Sequence, residues 1–284
     1  MQEEELEMGR FFAVLLIICL VFVIIYPVQL YTFGSPILRV VHQFLFSWET
    51  RDWNVVEGEH FVVKYKVGDE KTAQIVLQEA DELYYPLGRY FGCFPDKKVS
   101  VAIYQDKSSL NHVFGWGNGE SAMGVYWAGV IRLLSPQDWL SDLTAAQREQ
   151  VFRQQGPLAH EYIHLLVDYK TRGNYPRWLT EGVAQFGEKH FAGVDVGQVG
   201  DPEALKTSLA QLDKEFDDSQ QEAYSYAVSE DLVEFLVNKY GVECIPLLLE
   251  QLGKGENMDR ALNKTFGVDI NEFVQDYHHS YVEV

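Results

Sequence analysis

His160 and His164 stand four residues apart in the run Pro157-Leu158-Ala159-His160-Glu161-Tyr162-Ile163-His164. On an α-helix that spacing puts both imidazoles on one face, one turn apart. Two rings so placed can chelate one Zn²⁺ at normal Zn–N lengths. Glu161 falls about 100° round the helix from His160, beside such a metal and within reach of a bound water. Leu158, Ile163, Leu165, Leu166 and Val167 give the same helix an apolar surface to bury. A chain with this pattern must place a buried helix beside a cleft.

A catalytic zinc needs three protein ligands and one open position. A His six residues beyond His164 would complete the metzincin pattern, but Lys170 stands there, and Val167 stands at that pattern's Gly. Glu181 lies 17 residues beyond His164, after the loop Arg172-Gly173-Asn174-Tyr175-Pro176 and on a second helix, Arg177 to Phe191. That interval lets the chain turn and bring a carboxylate to the same metal. Gly182 is read as letting these two helices approach closely. Trp178 and Leu179 are placed behind the ligand.

His160-Glu161-Tyr162-Ile163-His164 followed by Trp178-Leu179-Thr180-Glu181-Gly182 resembles the gluzincin group of zinc metallopeptidases, the thermolysin-like clan. More closely, Pro176-Arg177-Trp178-Leu179-Thr180-Glu181-Gly182 is similar to the Pro-x-Trp-Leu-x-Glu-Gly segment of the bacterial peptidase MA-like families. The similarity runs from about Trp53 to the C-terminus, and its specific part is Leu158 to Phe186. It implies His160, His164 and Glu181 as ligands of one Zn²⁺, and Glu161 as general base. It also implies a downstream Tyr or His donating to the reacting carbonyl oxygen. Tyr226-Ala227-Val228-Ser229 resembles the family's Tyr-Ala-x-Ser, which favours Tyr226 over Tyr224. Gln185, one turn after Glu181, is the candidate acceptor for a ligand His N–H, although the thermolysin pattern has Asp there. Asp168, one turn after His164, is the other candidate.

The flanking sequence gives this centre a setting. From Phe11 to Leu38 there is no charged residue, and the stretch is apolar to about Leu30. About 20 such residues span a bilayer core as a helix. No small-x-small cleavage site follows, so residues 11–31 are expected as an uncleaved transmembrane anchor after a short tail, 1–10. Arg10 and Arg39 nearly balance the flanking positive charge. The short N-terminus and long C-terminal part fit an anchor whose domain lies outside the cytoplasm. Within residues 32–50, Ile37, Leu38, Val40, Val41, Phe44, Leu45 and Trp48 keep helical spacing, with Arg39, His42 and Gln43 opposite. This suits a juxtamembrane helix lying in the interface, or one packed on the domain.

Residues 51–284 read as one α+β, zincin-like domain. Strands are expected at His60 to Val67, Val99 to Tyr104 and Ala122 to Leu134, the last with a turn at Ala128-Gly129. Helices are expected at Glu70 to Phe91, Ser108 to Phe114, Thr144 to Gln155, and 203–212, 220–240, 242–252, 257–266 and 269–282. The result is a small mixed sheet with an edge strand, followed by a mainly helical half. Ala122 to Leu134 is the candidate edge strand for pairing with a peptide. A net charge of −19 argues against nucleic-acid binding, which needs a basic face. Cys19, Cys93 and Cys244 have no CxxC spacing and are expected as free thiols.

The function expected is a membrane-anchored zinc peptidase acting on peptides or proteins. The alternatives are a zinc hydrolase of a non-peptide amide, or a tethered binding or sensor protein without proteolysis. Glu120 is a faint candidate for holding a substrate amino group. The sequence leaves the oligomeric state open.

Overall fold

The computed structural model describes residues 27–117, 122–193, 207–218 and 220–281. The expected anchor therefore falls almost wholly outside the described residues, as do Glu120 and the start of the expected helix at 203–212. Among the described residues no helix is long and apolar enough to cross a membrane.

Among the described residues five strands form one mixed sheet: β1 (Asn54–Glu57), β2 (Phe61–Tyr65), β3 (Val99–Tyr104), β4 (Gly124–Trp127) and β5 (Val130–Leu134). Their spatial order is β1-β2-β3-β5-β4. β2, β3 and β5 run parallel, and the two outer strands pair antiparallel to their neighbours. Ala122 to Leu134 is thus a hairpin. It turns at Ala128 and Gly129, both with positive φ, as a tight hairpin turn requires. Its outer strand β4 is an edge of the sheet, where the sequence placed it.

Preceding these strands is α1 (Pro27–Glu49), and α2 (Glu70–Phe91) crosses over between β2 and β3. Two short helices, α3 (Lys107–Phe114) and α4 (Pro136–Trp139), precede α5 (Ala145–Gln155). The two motif helices are α6 (Leu158–Thr171) and α7 (Arg177–Gly187), and a π-helical turn at Glu188–Ala192 follows α7. The helical half closes with α8 (Leu209–Glu215), α9 (Glu222–Tyr240), α10 (Cys244–Gly253), α11 (Met258–Phe266) and α12 (Ile270–Ser280).

The sheet has two covered faces. On one, Phe61, Val63, Val101, Ile103, Ile131 and Leu133 meet α2 and α6 in the main core, which continues into the helical half. On the other, Ala102, Tyr104, Val130 and Leu134 meet Phe46 of α1 and Leu110 of α3. α6 is therefore sandwiched, and Leu158, Ile163, Leu165, Leu166 and Val167 are all at most 2% exposed. Burial of that order holds the motif helix rigidly against the sheet.

α1 is amphipathic in the reverse sense from an ordinary surface helix. Its polar residues face the protein: Arg39 Nη1 donates to Asp168 Oδ2 at 2.8 Å, and Gln43 Nε2 donates to Gly129 O at 3.1 Å. Its apolar residues Ile37, Val40, Phe44 and Trp48 face outward.

Candidate metal centre

The loop between α6 and α7 turns the chain back on itself. Arg172 and Gly173 take left-handed conformations at the end of α6. α7 then starts with Trp178 N–H donating to Asp213 Oδ1 at 2.8 Å. Trp178 and Leu179 are buried behind the ligand, as expected. The close approach credited to Gly182 needs correcting. A Cβ there would meet the Ser229 carbonyl oxygen at 2.1 Å, so Gly182 admits α9 rather than α6. Gly187 is the residue that admits α6: its Cβ would lie 2.3 Å from Ile163 Cδ1.

His160, His164 and Glu181 come together as the sequence predicted. One donor atom of each lies within 4.8 Å of the others. Glu181 Oε2 is 3.4 Å from His160 Nε2 and 3.3 Å from His164 Nε2. Both Nδ1 atoms are engaged elsewhere: His160 Nδ1 pairs with Glu188 Oε2 at 2.8 Å, and His164 Nδ1 with Thr180 Oγ1 at 2.7 Å. An ionised carboxylate can only accept, so the His160 proton sits on Nδ1 and the Nε2 lone pair points inward. Glu181 Oε2 is buried and has no hydrogen-bond donor. Buried acceptors with no donor are costly unless a cation shares them. Two imidazole nitrogens and one carboxylate oxygen form a donor set that suits a catalytic Zn²⁺ with an open position.

The partners of the ligand histidines differ from expectation. Gln185 does not serve a histidine; its Nε2 donates to Tyr226 O at 2.9 Å. Asp168 does not serve His164 either. It accepts from Arg39, from Ser35 Oγ at 3.2 Å and from Tyr126 Oη at 2.5 Å. Glu188 and Thr180 hold those places instead. Glu188 stands seven residues, two helical turns, beyond Glu181 and so on the same face of the helix, which brings its carboxylate to His160. That spacing was a signal the sequence offered. Thr180 was legible in principle, since it directly precedes the ligand Glu181.

Charge balance follows from these contacts. Burial favours a neutral His160, while Glu188, then Glu181 and Glu161, raise its pKa well above the ordinary value; a cation held at Nε2 would take the place of the second ring proton. Burial likewise favours protonated Glu181, yet His164 and His160 hold that carboxyl well below its usual range. Glu161 goes the other way: burial raises its pKa against the pull of both histidines.

Glu161 also touches the edge strand. Leu134 N–H donates to Met123 O, so antiparallel alternation turns the N–H and C=O of Gly124 and Tyr126 away from β5. Tyr126 N–H donates to Glu161 Oε2 at 2.5 Å. A Cβ on Gly124 would lie 2.9 Å from Glu161 Oε1, so β4 approaches the carboxylate closely only because this residue is glycine. The outward backbone of the edge strand and the carboxylate thus share one cleft.

Tyr226 is half-buried on α9, edge-to-face with Phe216 at 5.2 Å. Burial, then the nearby Glu181, raises its hydroxyl pKa, so it stays protonated and able to donate. Tyr224 instead lies near Tyr281 at the C-terminal end. Tyr175, half-buried in the α6–α7 loop, also feels Asp168 and Glu181. The sequence reading placed Tyr175 only in a loop. His190 is exposed and stacks on Phe186.

A family model described as the Peptidase MA superfamily matches residues 87–283. No curated protein matches. Among solved structures, a Glu-to-Ala variant of an M1 zinc metallopeptidase from Deinococcus radiodurans is similar at 15% identity and a TM-score of 0.38; the match covers 79% of this chain and 50% of that one. The same Glu-to-Ala variant bound to the substrate Tyr-Ser-Ala gives 14% identity and a TM-score of 0.36 over the same shares. A two-domain M1 zinc metallopeptidase variant bound to L-tryptophan gives 15% and 0.37, again over 79% and 50%. The chain thus spans about half the length of the solved structures it matches.

Proposed function

The chain belongs to the peptidase MA superfamily, and from that premise we propose that it is a zinc-dependent peptidase with Glu161 as its general base. The observation that carries this is the convergence of His160 Nε2, His164 Nε2 and Glu181 Oε2 beside Glu161 and the edge strand β4. Zinc bound there would acidify a water and polarise the scissile carbonyl. A peptide lies along β4, with its backbone pairing to the outward groups that Glu161 leaves open, the Gly124 N–H and C=O and the Tyr126 C=O. Glu161 accepts the water's proton and delivers it to the leaving amine. Its raised pKa brings the carboxyl closer to the range in which it can do both. Tyr226 donates from its hydroxyl to the carbonyl oxygen as negative charge gathers there. Glu188 and Thr180 keep the Nε2 atoms aimed inward throughout.

The same proposal includes a membrane anchor at residues 11–31 with the catalytic domain outside the cytoplasm. It is supported by the uncharged run Phe11 to Leu38. The chemistry is tested by Glu161→Gln. The variant should keep one zinc per chain by elemental analysis and lose about 10²- to 10⁴-fold in peptide cleavage. Undiminished cleavage by a zinc-loaded Glu161→Gln protein would remove Glu161 from the mechanism. Protease treatment of intact cells tests the topology, since a domain resistant to external protease lies inside.

A further inference from the structure

α1 lies outside the residues matched to the family, yet it forms a wall next to the metal centre. A cavity of about 500 Å³ lies between Gly34 and Leu38 of α1, Tyr126 and Trp127 at the end of the edge strand, and Tyr175 of the α6–α7 loop. Ligand pockets commonly have volumes of this order. Asp168 and Arg39 also line it, but their charges are satisfied by each other at 2.8 Å. Asp168 further accepts from Tyr126 Oη and Ser35 Oγ. What remains for a ligand is aromatic and aliphatic.

The cavity adjoins the cleft through three of its residues. Tyr126 lines it with its side chain while its N–H reaches Glu161. Asp168 is one turn beyond His164 on α6. Tyr175 stands in the loop that joins α6 to α7, the helix that carries Glu181. A peptide paired with β4 sends every second side chain to the same side, at intervals of about 7 Å. A side chain sent to the α6 side of β4 would face the Tyr126 end of this cavity.

We propose that the cavity is a specificity pocket for one bulky apolar or aromatic side chain of the peptide, and that the N-terminal helix is one of its walls. This rests on the peptidase reading of the adjoining centre. The recognition is hydrophobic and aromatic: Leu38 and Trp127 stand at partly exposed positions, and the tyrosine rings offer faces and edges for an aromatic guest.

Gly34 supplies the test. A Cβ added there meets nothing within 4 Å, so a larger side chain can enter the cavity without displacing the fold. Replacing a helical glycine also favours the helix. The full-length, zinc-loaded Glu161→Gln protein is titrated with a peptide set in which Phe or Ala is moved through each position. The expected result is one position at which Phe binds about 10- to 100-fold tighter than Ala. Adding Gly34→Phe should cut that preference below about 3-fold. Leu38→Trp repeats the test if the Gly34 variant fails to fold. Phe44→Ser, on the outward face of α1, should keep the preference. Equal binding of Phe and Ala at every position, or a preference untouched by Gly34→Phe and Leu38→Trp, overturns the pocket. Preserved preference with no cleavage by the wild-type protein would instead support the pocket and count against the peptidase reading.

Discussion

At the scale of single residues, the metal centre has two shells of unequal legibility. His160, His164, Glu161 and Glu181 follow from helical geometry and from the need for a third ligand. Their supports do not. The acceptor for His160 was sought one turn after Glu181, at Gln185, but it is Glu188, two turns on along the same face. Periodicity puts both positions on that face and does not say which side chain reaches the histidine. The two assignments make opposite predictions. Glu188→Gln should weaken zinc binding about 10- to 100-fold, measured by competition with a chromogenic chelator. Thr180→Val should weaken it less, because a neutral hydroxyl orients His164 without adding charge. Gln185→Ala should leave zinc affinity unchanged, since its amide serves the Tyr226 carbonyl. A larger loss in Gln185→Ala than in Glu188→Gln would restore the first reading.

Elements add constraints that single residues do not reveal. α7, which carries the proposed ligand Glu181, packs closely on α9 because Gly182 lies against the Ser229 carbonyl. Gly182→Ala should therefore destabilise the domain by about 1–3 kcal/mol, read from thermal unfolding, and lower zinc occupancy along with it. α2 carries a different signal. Burial pushes the Glu79 carboxyl up to about 7 despite Arg153 nearby. The folded pKa lies above the model-peptide value of 4.5, so the fold favours the protonated form. Its stabilising contribution is complete below the unfolded pKa and is lost as pH rises through about 7. Glu79→Gln should thus raise stability at pH 8 by about 1–3 kcal/mol and leave it nearly unchanged at pH 4. Equal effects at both pH values would show that Glu79 titrates normally.

Over the whole molecule, most strands and helices were legible because each carries its own periodicity and its own Gly or Pro stop; β1 and α4, four residues each, are too short to show one. The edge position of β4 was legible as a possibility only, since edge status depends on which strand pairs with β5. α1 shows where periodicity falls short. Its stripe of Ile37, Val40, Val41, Phe44, Leu45 and Trp48 is regular, but a regular stripe does not say which face meets the protein. Here the polar face does, through Arg39, His42 and Gln43. The apolar face is left exposed, with Phe44 at 71% and Trp48 at 62%. The chain before it is uncharged back to Phe11, long enough to enter a bilayer. A lipid interface is the occupant that this continuity favours, and it would hold the cleft at the membrane surface. Trp48 reports on it directly. In full-length protein reconstituted into phosphatidylcholine vesicles, brominated lipids should quench part of the tryptophan fluorescence, and Trp48→Phe should remove most of that quenched part. Trp127, the other exposed tryptophan near the cavity, serves as the control: Trp127→Phe should leave the lipid-quenched fraction in place. If Trp48→Phe leaves the lipid-quenched fraction undiminished, α1 does not lie in the interface, and its apolar face must be covered by protein instead.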